Sequence, residues 1–411
     1  MEQTDIDSAL IERCVHDLAR HGKYGETGVW RTVYSPEWVA ARDEIAAWMR
    51  DAGLDVRSDA VGNVWGRVDG SEGAGSIVTG SHFDSQRPGG RFDGVLGIIS
   101  GVVAVRALLE QVGRPRRTIE VVALCEEESS RFPTAMFWGS RAITGGIKPG
   151  DVDSTFDLDG MTIAQAMREV GLDPDRAGEA IRNDIDAFIE LHIEQGPLLE
   201  QLGLPVAVVS AITGIRTYTV ELRGTANHAG AFPMDLRRDP MADAAEIISG
   251  LINTAHRMGR PTVTTVGRIQ AEPNYPPIVP ERVTFSVDAR HPDPDKREHL
   301  YAMHEALMNE VAERRGLDLT LTVRSQHAPQ TCDHELVRLF EDTARELAIA
   351  FTTMPSGAAH DSQQIATIAR VIMLFVQSKD GRSHTPEEFT STEHAAEGTR
   401  VLAGGLRRLA Y

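Results

Sequence analysis

His82, Asp84 and Asp93 stand in one short run, VTGSHFDSQRPGGRFDG over 78–94, directly behind an apolar stretch. Imidazole and carboxylate are the ordinary nitrogen and oxygen ligands of zinc-like ions, and such groups are costly to bury unless paired or coordinated. Three further apolar runs end in the same way. TIEVVALCEEE (118–128) closes on Glu126, Glu127 and Glu128, AFIELHIEQG (187–196) on His192 and Glu194, and ARVIMLFVQSKDGRSH (369–384) on His384. One histidine or aspartate at a strand end is usually a turn residue. Four runs ending alike supply the inventory of a two-metal site, in which ions about 3.5–4 Å apart share a bridging carboxylate. The glycines of RPGGRFDG let the chain turn so that Asp93 comes back towards His82. Asp84, two residues after His82 on the same face of an extended segment, is placed to accept the free imidazole N–H. The acidic run 126–128 offers one ligand and one free carboxylate to serve as a general base.

These side chains need strands to carry them. Continuous apolar runs alternating with helical periodicity indicate a parallel sheet covered on both faces, whose ligands sit outside the carboxyl ends of the strands. Helices are predicted at 36–52, 94–112, 239–258, 294–315, 333–349 and 391–410, and an amphipathic one at the start of the chain. The small residues of GVLGIISG permit close helix packing. Between about 212 and 327 the strands alternate instead, as in TGIRTYTVELRG and ERVTFSVDARHPD. The expectation is an α/β catalytic domain with a mostly parallel central sheet flanked by helices, formed by 1–212 and 328–411. Inserted into it, 213–327 forms an α+β domain with a four-stranded antiparallel sheet and two helices.

The 411 residues exceed one ordinary core, and 41% hydrophobic with 25% charged describes a globular chain. A net charge of −18 argues against a general nucleic-acid or anionic-membrane surface. No signal-like start and no apolar run of about 18 residues is present, so no membrane partner and a cytoplasmic location are expected. Cys14, Cys125 and Cys332 lie far apart, which leaves neither a disulfide framework nor a cysteine zinc site. G-x-S-x-G and the P-loop are both missing, so serine hydrolysis and phosphate cradling have no motif.

The runs GSHFDSQRPGGRFDG, EEESSRF, ELHIEQGPLLE, NHAGAFPMDLRRD, SGAAHDS and GRSHTPEE together resemble the dinuclear metal amidohydrolases. That family comprises allantoate amidohydrolase, N-carbamoyl-L-amino-acid hydrolase and β-ureidopropionase, and is related to aminoacylase-type metallopeptidases. The resemblance implies two divalent metal ions per subunit, Zn2+ foremost, although Mn2+, Co2+ and Ni2+ accept the same donors. It implies His82 and His192 on one ion, Glu128 and His384 on the other, Asp93 as the bridge and Glu127 as the base. It further implies a homodimer through the inserted lid domain, with His228 stabilising an oxyanion in its own or the neighbouring subunit. Arg216 and Arg290 would bind carboxylates, and Gln195 a ureido or amide group.

EEESSRFPTAMFWGSRAITG looks most similar to the allantoate branch. Other positions depart from the family pattern. Pro277 stands where an asparagine is usual and Glu281 where a glycine is. Ala231 and Phe232 replace hydroxyl residues, and Ala359 replaces glycine. Proline offers no side-chain hydrogen bond, and Asn274 is the nearby amide expected to compensate. The leading expectation is hydrolysis of a C–N bond in a small ureido acid such as allantoate, with N-carbamoyl-L-amino-acid hydrolysis as the alternative. Outside enzymes the alternative is a catalytically silent ligand-binding homologue, whose signature would be loss of the base or a ligand.

Overall fold

A computed structural model describes residues 4–73 and 75–411; residues 1–3 of the predicted first helix lie outside the described residues. The four apolar runs form neighbouring strands in the order Arg370–Val376, Ile185–Ile193, Ser76–His82 and Ile119–Leu124, all parallel. Parallel neighbours point the same way, so their polar tails leave the sheet at one edge.

The sheet is mixed, where a mostly parallel one was expected. Val206–Ile212 lies antiparallel beside Arg370–Val376, while Val64–Val68 and then Asp55–Ser58 extend the other side antiparallel. A tight turn joins the last two strands: the Asp59 carboxylate accepts the Val61 and Asn63 N–H groups, and Gly62 takes φ +95°. Two strands joined so closely can pair only as a hairpin.

Helix Val95–Gln111 is buried almost all round. It approaches the sheet where it has no side chain, since a Cβ on Gly97 would lie 2.3 Å from the Leu191 carbonyl oxygen. The small residues of GVLGIISG thus serve packing. Helices Pro36–Asp51, His334–Glu346 and Thr392–Ala410 also belong to this unit, each opened by a side-chain cap from Ser35, Asp333 or Ser391.

The chain divides into two compact units: Met1–Ser210 with Cys332–Met354 and His360–Tyr411, and Ala211–Thr331 with Pro355–Ala359. The second has its own antiparallel sheet, in which Arg282–His291 pairs with Gly214–Arg223 and that strand with Asp318–His327. The remaining position, read as one strand, is two: Val263–Thr265 and Ile269–Glu272 pair with successive stretches of Arg282–His291. Helices Pro240–Met258 and Pro294–Arg315 supply Ile247, Leu251, Met308 and Val311 to a core with Val220, Leu222, Val283 and Phe285. No helix among the described residues is long and apolar enough to cross a membrane.

Candidate metal centre

His82 is the last residue of its strand, His192 the last but one of its own, and both are buried. Between His82 and Asp93 the chain loops out and returns, placing Asp93 Oδ1 3.5 Å from His82 Nε2 and 3.1 Å from His192 Nε2. The other oxygen of the same carboxylate, Oδ2, is 3.4 Å from His384 Nε2, which is itself 3.4 Å from Glu128 Oε2. Ligand atoms of His82, Asp93 and His192, and of Asp93, Glu128 and His384, lie within 4.8 Å of one another. One carboxylate therefore belongs to both groups.

The tautomers test whether these groups suit a cation. The Ile193 carbonyl, 2.9 Å from His192 Nδ1, fixes that ring proton, and the Asp84 carbonyl, 3.2 Å from His82 Nδ1, does the same for His82. Each Nε2 then turns a lone pair towards Asp93 Oδ1, an atom buried without a hydrogen-bond donor among the described residues. A 3.3 Å contact from the Gly94 N–H is the further interaction of His192 Nε2. Lone pairs converging on a carboxylate oxygen describe a place for a cation, with the carbonyls fixing the imidazole orientation. Gly94 is obligatory here: its φ is +66°, and a Cβ would come within 2.5 Å of the His82 ring.

The 126–128 run turns as this assignment requires. The strand stops at Leu124 and Glu126 takes φ +50°. Glu126 leaves the site, its Oε1 accepting the Arg131 and Phe132 N–H groups at 3.2 and 2.7 Å. Glu127 Oε2 stays 3.9 Å from His82 Nε2. Burial, partly countered by His82 and reinforced by Glu128, holds the Glu127 carboxyl well above the usual carboxylate range. Glu194, part of the original inventory, instead caps helix Leu198–Leu202 through the Leu198 and Leu199 N–H groups.

Asp84 does more than the sequence suggested. Its main-chain carbonyl is the near partner of His82 Nδ1, its carboxylate oxygen being 3.8 Å away. The carboxylate accepts the N–H groups of Glu127 and Glu128, each at 3.2 Å, and so locks the acidic turn beside the histidine loop. Gln195, at φ +58°, donates Nε2 to Asp93 Oδ2 at 3.0 Å and to Ser383 Oγ at 3.2 Å; its buried Oε1 has no donor among the described residues.

Sequence reasoning missed Glu388 and Gln86. Buried Glu388 accepts the Phe92 and Asp93 N–H groups through Oε1 and the Ser383 hydroxyl through Oε2. Burial and then Asp93 push its carboxyl up to about 8. Gly90 leaves it room, because a Cβ there would lie 2.2 Å from Glu388 Oε1. Gln86 Nε2 donates to Glu128 Oε2 at 2.7 Å. The only signal for Glu388 was its place in GRSHTPEE.

His228, Arg216, Arg290 and Asn274 all lie in the smaller unit. His228 Nδ1 accepts the Gly230 and Ala231 N–H groups at 3.0 and 3.1 Å, which puts the ring proton on Nε2 of an exposed side chain. Ala231 makes this contact with its backbone, and the Pro277 carbonyl accepts the Ala229 N–H at 2.9 Å. Arg216 is engaged by Glu305 at 2.9 Å and Gln326 at 3.1 Å and lies over the Tyr301 ring. Arg290 forks onto Asp288 and donates to the Gly357 carbonyl. Asn274 is exposed at φ +54°.

The family model described as peptidase family M20/M25/M40 matches residues 69–408, a span that includes every one of these side chains. The chain belongs to that family. M20 enzymes are metal-dependent hydrolases, in keeping with the cation-shaped groups around Asp93. Among relatives, the chain is 38% identical to the allantoate amidohydrolase of Bacillus subtilis, over 96% of each chain. It is 40% identical to the N-carbamoyl-L-amino acid amidohydrolase of Geobacillus stearothermophilus, again over 96% of each. A crystal structure of a hydantoinase/carbamoylase family amidase from Burkholderia multivorans superposes with a TM-score of 0.93 at 32% identity, covering 99% of this chain and 98% of that one. The resemblance drawn from the motifs is thereby borne out.

Proposed function

We propose that the protein hydrolyses a C–N bond in a small ureido or carbamoyl acid, with allantoate the leading substrate, using two divalent cations, Zn2+ foremost. The observation that carries this reading is the divided carboxylate of Asp93, with Oδ1 towards His82 and His192 and Oδ2 towards His384. In this reading His82 and His192 would hold one ion and Glu128 and His384 the other, with Asp93 available to both. Bound there, the ions would supply Lewis acidity that brings the pKa of water down towards about 7. Glu127 takes the proton of the attacking water and returns it to the leaving nitrogen, a task suited to a carboxyl raised by burial. Asp84 and Gln86 keep Glu127 and Glu128 aimed.

His228, protonated at Nε2, donates to the developing oxyanion of its own or a neighbouring subunit. Gln195, with Nε2 committed to Asp93, keeps Oε1 for a ureido N–H. Arg290, Asn274 and Arg216 bind the acid end, Arg216 exchanging Glu305 for a substrate carboxylate. Residues 213–327 act as lid and dimerisation domain, so sedimentation of the full chain reads a homodimer of 44.9 kDa subunits.

The test is ammonia release by protein loaded with Zn2+, Mn2+, Co2+ or Ni2+, offered allantoate and a panel of N-carbamoyl-L-amino acids. Allantoate turnover that EDTA abolishes is expected; no turnover of any ureido or carbamoyl acid with any metal rejects the proposal. A second reading, N-carbamoyl-L-amino-acid hydrolysis, is favoured by Ala231, Phe232 and Pro277, which put apolar groups near His228. Preference for carbamoyl acids with apolar side chains would decide for it. A silent binding homologue is disfavoured because the base and all five ligands are present.

A further inference from the structure

The segment following the first helix contains a buried arginine that the proposed reaction does not use. Arg31 is 2% exposed, and its guanidinium serves three main-chain carbonyls: Nε donates to Phe83 at 2.6 Å, and Nη1 to Leu18 at 3.1 Å and His21 at 3.0 Å. A guanidinium buried with main-chain carbonyls as its hydrogen-bond partners is costly, and burial brings its pKa down to about 10 against the pull of the Asp84 and Glu44 charges. A leucine or methionine would fill the same space without that cost, so the position requires the directed N–H groups.

The atom it grips most closely belongs to the residue between His82 and Asp84. The neighbouring backbone grips the same loop. Arg31 N donates to Ser85 Oγ and Ser85 N to the Arg31 carbonyl, both at 2.9 Å, while Val29 and Gly89 exchange two backbone hydrogen bonds at 3.0 and 2.8 Å. Thr27 Oγ1 donates to the Pro386 carbonyl, two residues beyond His384, at 2.5 Å. Gly28 seats against the same proline, where a Cβ would lie 2.9 Å from Pro386 Cβ. Residues 27–31 therefore span the loop joining His82 to Asp93 and the loop that carries His384.

We infer that Arg31 is a positioning residue: through the Phe83 carbonyl, and with the clasp at Val29 and Thr27, it sets the His82 imidazole and the return of the chain to Asp93, so that cation affinity depends on it. The inference rests on the metal reading of the site.

The experiment uses full-length protein stripped of metal, as wild type, Arg31→Met, Arg31→Lys and Thr27→Ala. Each is titrated with Co2+ while the visible d–d absorption is recorded, and circular dichroism of the same samples reports folding. Arg31→Met is expected to keep its helix signal and bind Co2+ about 10–100-fold more weakly, with altered absorption bands, as for loss of an outer partner of a ligand. Arg31→Lys should recover part of the affinity, and Thr27→Ala should lose a few-fold. Wild-type affinity and spectrum in folded Arg31→Met overturn the inference. If Arg31→Met does not fold, wild-type affinity in both Arg31→Lys and Thr27→Ala overturns it equally. Failure of the wild-type chain to bind Co2+ sinks the metal reading itself, which is a distinguishable result.

Discussion

Asp93 can serve two groups because neither of its oxygens is spent on the same neighbour. Oδ1 meets the two imidazoles and Oδ2 meets His384, Gln195 and Ser383. Glu127 stands just outside that set, which separates binding from turnover. Glu127→Gln keeps the size and one oxygen but cannot carry a proton, so metal content by elemental analysis should be unchanged. Turnover should fall about 10²–10⁴-fold, the usual worth of a positioned base; equal activity would reject the assignment. The proposed ligands were legible because each has a metal-binding side chain at the end of an apolar strand or in the polar segment that follows it. Glu388 and Gln86 were not, since their work is to hold the Asp93 backbone and the Glu128 carboxylate. Any residue type that accepts or donates can do that, and it leaves no pattern in the chain.

Among the elements, helix starts were the easiest to read because their chemistry is local. Ser35, Asp239, Asp293, Asp333 and Ser391 each cap the first turn with their own side chain, and Pro36, Pro240 and Pro294 occupy positions whose N–H a helix does not need. Short helices such as Trp138–Ile143 escaped because they have no room for a periodic stripe. The direction of a flanking strand is likewise invisible to periodicity, which is why the mixed character of the sheet emerged only from pairing. In the smaller unit, a contact between elements predicts a pH response. Strand Gly214–Arg223 and helix Pro294–Arg315 meet through Tyr218 and buried His304, whose Oη and Nδ1 are 2.8 Å apart. Burial holds the His304 imidazole down to about 4, from 6.5. Between those values the unfolded chain binds a proton that the folded one refuses. Stability is therefore lost as pH falls from about 6.5 towards 4, and the loss levels off below, at roughly 3 kcal/mol in total. His304→Gln should remove that part of the slope. Urea unfolding at pH 7 and pH 4.5 should show wild type losing about 2 kcal/mol more than the variant; identical losses would show that His304 charges freely in the folded state.

At the scale of the molecule, the two units divide the chemistry unequally. The five proposed ligands and the base lie in the larger one, as do all five tryptophans, Trp30, Trp38, Trp48, Trp65 and Trp138. The smaller unit rests on a core of its own and contains no tryptophan. The buried carboxylates of Asp84 and Asp93 and the partly buried ones of Glu127 and Glu128 crowd the larger unit, and cations bound among them should stabilise its folded form by linkage. With free metal at a hundred times its dissociation constant, that gain is about 2.7 kcal/mol per site. Tryptophan fluorescence then reads the effect selectively. Adding Zn2+ to stripped protein should move the fluorescence-detected urea transition to higher denaturant, and EDTA should reverse the shift. Hydrogen exchange in Ser76–His82 and Ile185–Ile193 should slow in step, because those strands carry the ligands. Exchange in helix Pro240–Met258 should stay as it was, since its packing against Val220 and Phe285 involves none of them. A shift of equal size in both regions would mean that the ions stabilise the chain through something other than the groups around Asp93.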